Sequence, residues 1–282
     1  MKEFYIFLDK LQEFSKKTGI PYYAGMTTNA YLLTKNNFER LAQLNCLDYQ
    51  ITLDGMDETH DQKRYLIGKR KTWKTIVDNL LYIKSTDYPF KIILRTNFDT
   101  EVLQSVDSYL NFVSENLNDD RILMYHETIK DHGNPEQNEY MSQSEAILSN
   151  VEISRLLKEK NLKSSLVFSS TTPACSMCRA GIPDYYVIDY DGSIKRCTHR
   201  LDTEPNYLGN LSDDGSMIID HSLDAKWIYR DYLSDDKCKE CKLLPLCFGK
   251  RCPVARVDPQ LAFDCNKDLR ALELEEILRV HL

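Results

Sequence analysis

Eight cysteines in the C-terminal part of the chain are the residues whose type and spacing most directly suggest chemistry: Cys175, Cys178, Cys197, Cys238, Cys241, Cys247, Cys252 and Cys265. The run Cys238-x2-Cys241-x5-Cys247-x4-Cys252-x12-Cys265 is flanked by Asp235, Asp236, Lys237, Lys239, Glu240 and Lys242, too charged a setting for a buried strand or helix. A C-x2-C pair turns both sulfurs toward one ion across a tight backbone loop, which suits zinc and iron–sulfur centres alike. Spacing alone does not choose between them. Eight thiols make two complete four-thiolate sites with none left over. Cys46 stands alone after Asn45 at a helix end and reads as a small buried hydrophobe, dispensable for metal content.

The ligand reading requires reduced thiols, and the rest of the composition is compatible with that. The N-terminus, Met-Lys-Glu-Phe-Tyr, carries charges every few residues, so neither a secretory signal nor a membrane span is expected and the protein is placed in the cytoplasm. Cytosolic thiols are poor disulfide formers, which leaves metal or cluster ligation as the better default. A formal charge of -7 and a pI near 5.5 argue against general affinity for nucleic acid or an anionic membrane. The richest basic stretch, Lys69, Arg70, Lys71 and Lys74, reads as a solvated helix entry.

Two regions must position these groups. Residues 1–165 alternate helical and strand patterns, as repeated αβ units around a mainly parallel sheet do. Phe4, Phe7, Leu8, Leu11 and Phe14 predict a helix over Glu3–Lys17 that stops near Gly19 and Pro21. Strands are expected over Pro21–Thr28, Leu47–Leu53, Phe90–Thr96 and Arg121–His126, with helices over Asn36–Asn45, Trp73–Ser85 and Glu101–Asn116. The first helix has no strand before it, so the sheet edge at Pro21–Thr28 would be bare, which favours a truncated reading frame or fragment. Residues 128–145 are polar with Gly and Pro and read as a mobile loop, either a substrate lid or an ordinary surface connection, followed by a helix over Glu145–Lys160. Residues 166–282 shift to cysteines, short strands and turns. Asp191-Gly192 between Tyr185–Asp189 and Ser193–Cys197 predicts a tight hairpin.

Cys178-x13-Gly192-x4-Cys197, then Gly209-Asn210, then the five-cysteine run, resembles the SPASM domain, a C-terminal extension of radical-SAM enzymes that modify peptides and proteins. The resemblance implies one auxiliary [4Fe-4S] cluster on Cys175, Cys178, Cys197 and Cys252, and a second on Cys238, Cys241, Cys247 and Cys265. Two departures stand out: Phe248-Gly249-Lys250-Arg251 makes an x4 interval where the family usually has x3, and Cys175 lies nearer Cys178 than the upstream ligand usually does.

The αβ half resembles the same family. Thr27-Thr28-Asn29-Ala30 is similar to its TTNG segment, Thr52-Leu53-Asp54-Gly55 with His60 and Arg64 to its SxDG…H…R segment, and Arg95-Thr96-Asn97 to a third. All fall at C-terminal strand ends, where αβ barrels bind ligands. The resemblance makes Asn29, Thr52, Asp54, Arg95 and Asn97 candidates for contacting S-adenosylmethionine, beside the plainer reading that each caps a helix or forms a turn. The fold class implied is α/β, a partial (βα) radical-SAM barrel lacking its first strands over residues 1–165, then a small cysteine-rich α+β SPASM domain over 166–282.

The CxxxCxxC loop that holds the family's catalytic [4Fe-4S] cluster does not occur before Cys175, and the family's Gly-Gly-Glu segment is absent too. This chain alone is therefore expected not to cleave S-adenosylmethionine. That cofactor and the third cluster belong to an intact parent, which would abstract hydrogen from a peptide or protein substrate and draw electrons from a reductant such as flavodoxin or ferredoxin. Sulfatase-maturing members carry Asp just after the third SPASM cysteine. Here Thr198 and His199 follow Cys197, which disfavours formylglycine formation and favours crosslinking or another modification of a ribosomally made peptide, with His199 a weak candidate base. The competing class is a zinc-binding interaction module without redox chemistry.

Overall fold

The computed structural model describes residues 1–129, 141–165, 172, 178–229, 236–247, 252–258 and 267–281. The chain divides into two compact units, Met1–Val167 with Glu275–Leu282, and Phe168–Leu274.

In the first unit, α1 (Lys2–Thr18) ends where Gly19 turns left-handed at φ 72°, with Lys16 and Lys17 in its last turn. The chain then alternates through β1 (Ala24–Thr28), α2 (Lys35–Gln43), β2 (Cys46–Thr52), the short α3 (Asp57–Lys63), α4 (Trp73–Lys84), β3 (Lys91–Phe98), α5 (Thr100–Gln104), α6 (Val106–Asn116), β4 (Ile122–Thr128) and α7 (Gln143–Glu159). The four strands are all parallel, in the order β1-β2-β3-β4. A helix between each pair is what parallel order requires, since no hairpin can join such strands.

Pleating separates the sheet's two faces. Tyr49 and Ile51 of β2, Ile92, Leu94 and Phe98 of β3, and Ile122 and Met124 of β4 are buried in one apolar core with Phe38, Leu41, Ile76, Leu80, Tyr109 and Val113 from the helices. Burying each such aliphatic or aromatic side chain contributes about 1.5–3 kcal/mol. The helix expected over Glu101–Asn116 is two helices. Asp99 caps the first by accepting from Glu101 N and Val102 N, and the break falls at Ser105. α7 starts with a capping box between Ser142 and Glu145. The lid-like loop expected over 128–145 falls mostly on residues 130–140, outside the described residues.

One buried residue is uncomfortable in this core. His126 is buried on β4 and neither ring nitrogen makes a well-formed hydrogen bond among the described residues. Burial pushes it down to about 4 from the ordinary 6.5, opposed only in part by the Asn150 backbone and the Glu127 charge. The unfolded chain therefore binds a proton that the folded chain refuses between about pH 6.5 and 4, so stability is full above that window and falls as pH drops through it. About 3 kcal/mol is at stake. Urea denaturation at pH 7.5 and 4.5 is expected to show this loss, and His126→Leu is expected to remove that part of the pH dependence. An identical pH profile for the two proteins would count against it.

The second unit carries a four-stranded antiparallel sheet, β5 (Val187–Ile188), β6 (Ser193–Lys195), β7 (Tyr207–Leu211) and β8 (Met217–Ile219), in sequential order. The β5–β6 turn runs through Asp191 and Gly192, with Gly192 at φ 82° and Asp191 Oδ1 accepting from Ser193 N. Helix α8 (His221–Ile228), capped by Asp220, buries Trp227 beside Ile194 and Leu208. Three short helices, α9 (Asp236–Lys239), α10 (Leu244–Cys247) and α11 (Val254–Val257), follow in this unit, and the final α12 (Lys267–His281) runs from it into the stretch counted with the first unit.

Candidate functional site

Toward the C-terminal strand ends, the sheet face opposite the buried core residues is polar. The register aligns Thr52, Arg95 and Tyr125 as one cross-strand row and puts Asn97 beside Glu127 in the next row toward the C-terminal strand ends. All five are partly buried. Tyr125 donates a hydrogen bond to Glu127 Oε2, and the Arg95 guanidinium lies 5.9 Å from the Tyr125 ring centre. Burial first, and then the neighbouring Glu127 charge, raise the Tyr125 phenol above its usual range, so it remains a protonated donor.

Asp54, just beyond β2 and only 3% exposed, is the hub of these rows. Its Oδ1 accepts from Asn97 N at 2.7 Å and Asn97 Nδ2 at 3.2 Å; its Oδ2 accepts from Arg64 Nε at 2.5 Å. Asn97 Oδ1 in turn accepts from Arg95 Nε at 2.8 Å. One carboxylate thus orients two guanidinium groups, directly and through an amide, a charge-assisted arrangement that a buried carboxylate needs. His60 supports the same turn from below: its Nδ1 lies 3.1 Å from Asp54 N and its Nε2 lies 3.2 Å from Thr72 Oγ1. Burial lowers the His60 pKa, against the opposing charges of Asp54 and Asp61. Two fixed arginines beside amide and hydroxyl groups form a surface suited to a carboxylate-bearing polar ligand.

The sequence-selected candidates therefore separate. Asp54, Arg95 and Asn97 form one hydrogen-bonded group, and Thr52 stands beside Arg95. Asn29 is exposed at the end of β1, and its Oδ1 accepts from Tyr31 N as in a turn former. Ala30, next to it, is fully buried at φ 58°, a conformation natural for glycine and held here by Asn79 Nδ2 donating to Ala30 O. Tyr125 and Glu127 were not among the candidates; the polar alternation in Leu123-Met124-Tyr125-His126-Glu127 was the available signal.

In the second unit, Cys178, Cys197 and Cys252 adjoin a single apolar cluster of Ala180, Ile194, Leu208, Trp227 and Val254. Burial pushes the Cys252 thiol up, the charges of Cys178 and Cys197 add to this, and a Val254 N–H bond and Arg200 oppose it. Cys197 Sγ also accepts from His199 N at 3.4 Å, while the His199 side chain is exposed. Cys241 N donates to Cys238 O at 3.1 Å, closing the C-x2-C turn, and Cys247 ends α10. Cys175 and Cys265 lie outside the described residues. Among the described residues no three His, Cys, Asp or Glu side chains close into a group able to hold a metal ion. The thiol donors and their shared surroundings fit a soft-metal or iron–sulfur group in kind. Cys46 is fully buried, its thiol pushed up to about 11 by burial, in keeping with a core role.

No family model matches this chain, and no curated protein matches it significantly. Solved structures do. Native anSMEcpe with bound AdoMet aligns over 99% of this chain and 79% of its own, with a TM-score of 0.75 at 15% identity. The fold is radical-SAM-like. The same anSMEcpe with AdoMet and the Kp18Cys peptide aligns over 97% of this chain and 78% of its own, at a TM-score of 0.71 and 15% identity. anSME is an anaerobic sulfatase-maturating radical-SAM enzyme. At this identity the likeness to anSME carries the fold and not the substrate. Among the described residues no helix is long and apolar enough to cross a membrane.

Proposed function

We propose that this chain is the C-terminal portion of a cytoplasmic radical-SAM enzyme of the SPASM group that modifies a ribosomally made peptide or protein. One observation carries the reading: a radical-SAM-like parallel sheet is joined in the same chain to a unit in which Cys178, Cys197 and Cys252 share one core. Supporting it, related folds have been solved with bound AdoMet and peptides.

When bound, S-adenosylmethionine and a third [4Fe-4S] cluster in the parent enzyme supply a carbon-centred radical that takes hydrogen from the substrate. This chain's residues would do the rest. Arg95, oriented by Asn97 and Asp54, offers guanidinium N–H groups to a carboxylate on the open sheet face; Thr52 adds a hydroxyl, and Asn29 an amide at the neighbouring strand end. Cys175, Cys178, Cys197 and Cys252 would hold one auxiliary cluster, and Cys238, Cys241, Cys247 and Cys265 the other. Thr198 in place of an acid after Cys197 favours crosslinking or a related modification over formylglycine formation, with a flavodoxin or ferredoxin as electron source.

Anaerobic purification and reconstitution with iron and sulfide tests this. A brown protein absorbing at about 400 nm, with about eight iron atoms per chain, is expected. The chain alone is expected to release no 5'-deoxyadenosine from S-adenosylmethionine under reduction. A colourless protein that takes up zinc and refuses iron and sulfide would overturn the assignment.

A further inference from the structure

We infer that Asn206 is a positioning residue for the Cys197 thiol, an inference that rests on the proposed ligand role of that cysteine. Asn206 is fully buried in the turn just before β7. Its Oδ1 accepts from both Arg196 N at 3.0 Å and Cys197 N at 2.8 Å. Its Nδ2 donates to both Cys197 O and Arg200 O, each at 2.8 Å. Both acceptor directions and both protons of the carboxamide are thus engaged, and all four bonds go to the backbone of residues 196–200.

The consequence for the sulfur is geometric. With the peptide groups on either side of Cys197 pinned, the backbone curls so that His199 N lies 3.4 Å from Cys197 Sγ. An N–H···S contact of this kind would raise the reduction potential of an iron–sulfur centre held there. Asn206 is itself held from the far side, where Trp227 Nε1 donates to Pro205 O at 2.9 Å and Asn206 N donates to Thr203 O at 2.9 Å. Removing the carboxamide frees the loop that presents the sulfur while leaving the sulfur itself in place.

The test compares the full chain with Asn206→Ala and Asn206→Asp, the latter keeping the acceptor and losing both donors. Co²⁺ alone is the probe, read through its thiolate charge-transfer absorbance in competition with a chelator; Trp227 fluorescence in a Trp73→Phe background reports whether the unit is folded. Outer-sphere supports of metal ligands typically change affinity by about 10–100-fold. A loss of that size is expected at one site, with the other unaffected, and a more negative potential for the iron-loaded variant. A folded Asn206→Ala protein with unchanged Co²⁺ affinity and potential overturns the inference. A wild-type chain that shows no Co²⁺–thiolate absorbance overturns the proposed function instead. If neither variant folds, hydrogen exchange in the wild-type chain decides: the Arg196 and Cys197 amides are expected to be as protected as those pairing β6 with β7, and free exchange there overturns it.

Discussion

Gly209→Ala is expected to unfold the second unit while sparing the first. Gly209 sits on β7 at φ 154°, and a Cβ there would lie 1.8 Å from Ile218 O and 2.9 Å from Ile218 C. Those are backbone atoms of the neighbouring strand, paired through Gly209–Ile219 and Asn210–Ile218, so they cannot step aside without breaking the ladder. Overpacking and the backbone conformation together cost about 4 kcal/mol. Thermal unfolding read at Trp227 in a Trp73→Phe background should lose its transition or shift it down steeply, while the far-UV signal of the parallel-sheet unit persists. Equal midpoints for the variant and its parent would mean that β7 and β8 are not paired in this register.

Asp224→Ala should be nearly as damaging, for an electrostatic reason. Arg196 has no exposed surface, and its guanidinium donates from Nε to Asp224 Oδ1 at 2.6 Å, with Nη2 in ion-pair contact at 2.5 Å. Nη1 donates to Ile182 O at 2.5 Å, and the plane lies 4.7 Å from the Tyr186 ring centre. Removing the carboxylate leaves a buried cation without its counter-charge, which costs about 3–5 kcal/mol. Replacing both partners by apolar residues, Arg196→Met with Asp224→Leu, should recover most of that loss, because desolvating the pair offsets much of its attraction. Urea midpoints for the single and double variants check this. A double variant no better than the single one would show that the pair has a further, specific role.

Much of the first unit was legible because its strands face two different environments. Ile92, Leu94 and Phe98 alternate with Ile93, Arg95 and Asn97, so strand β3 and its polar face could both be read from the period of two. Two αβ features were not readable. The break at Ser105 depends on Asp99 turning to cap a helix, and α3 is too short and too polar to show an apolar stripe. Asp54, Arg95 and Asn97 were found singly, by resemblance, and their union around one carboxylate depends on β2 and β3 being neighbours in parallel register. Asn206 gave no local signal. Its role exists only when residues 196–200 fold back onto the turn before β7, nine residues or so downstream of Cys197 in the hydrogen-bonding arrangement seen here. The arginine–aspartate pair is non-local in the same way, with Asp224 on a helix and Arg196 at the end of a strand.

The ring of contacts around His60 has a further consequence. Thr72 gives its single hydroxyl proton to Arg64 O, so the imidazole must be the giver at Nε2, and its Nδ1 lone pair must receive Asp54 N–H. Only one tautomer satisfies both neighbours. A second proton would set two N–H groups against each other, so the ring stays electrically silent near neutrality. A side chain usually credited with moving protons serves here as a rigid spacer between a strand end and the helix that follows.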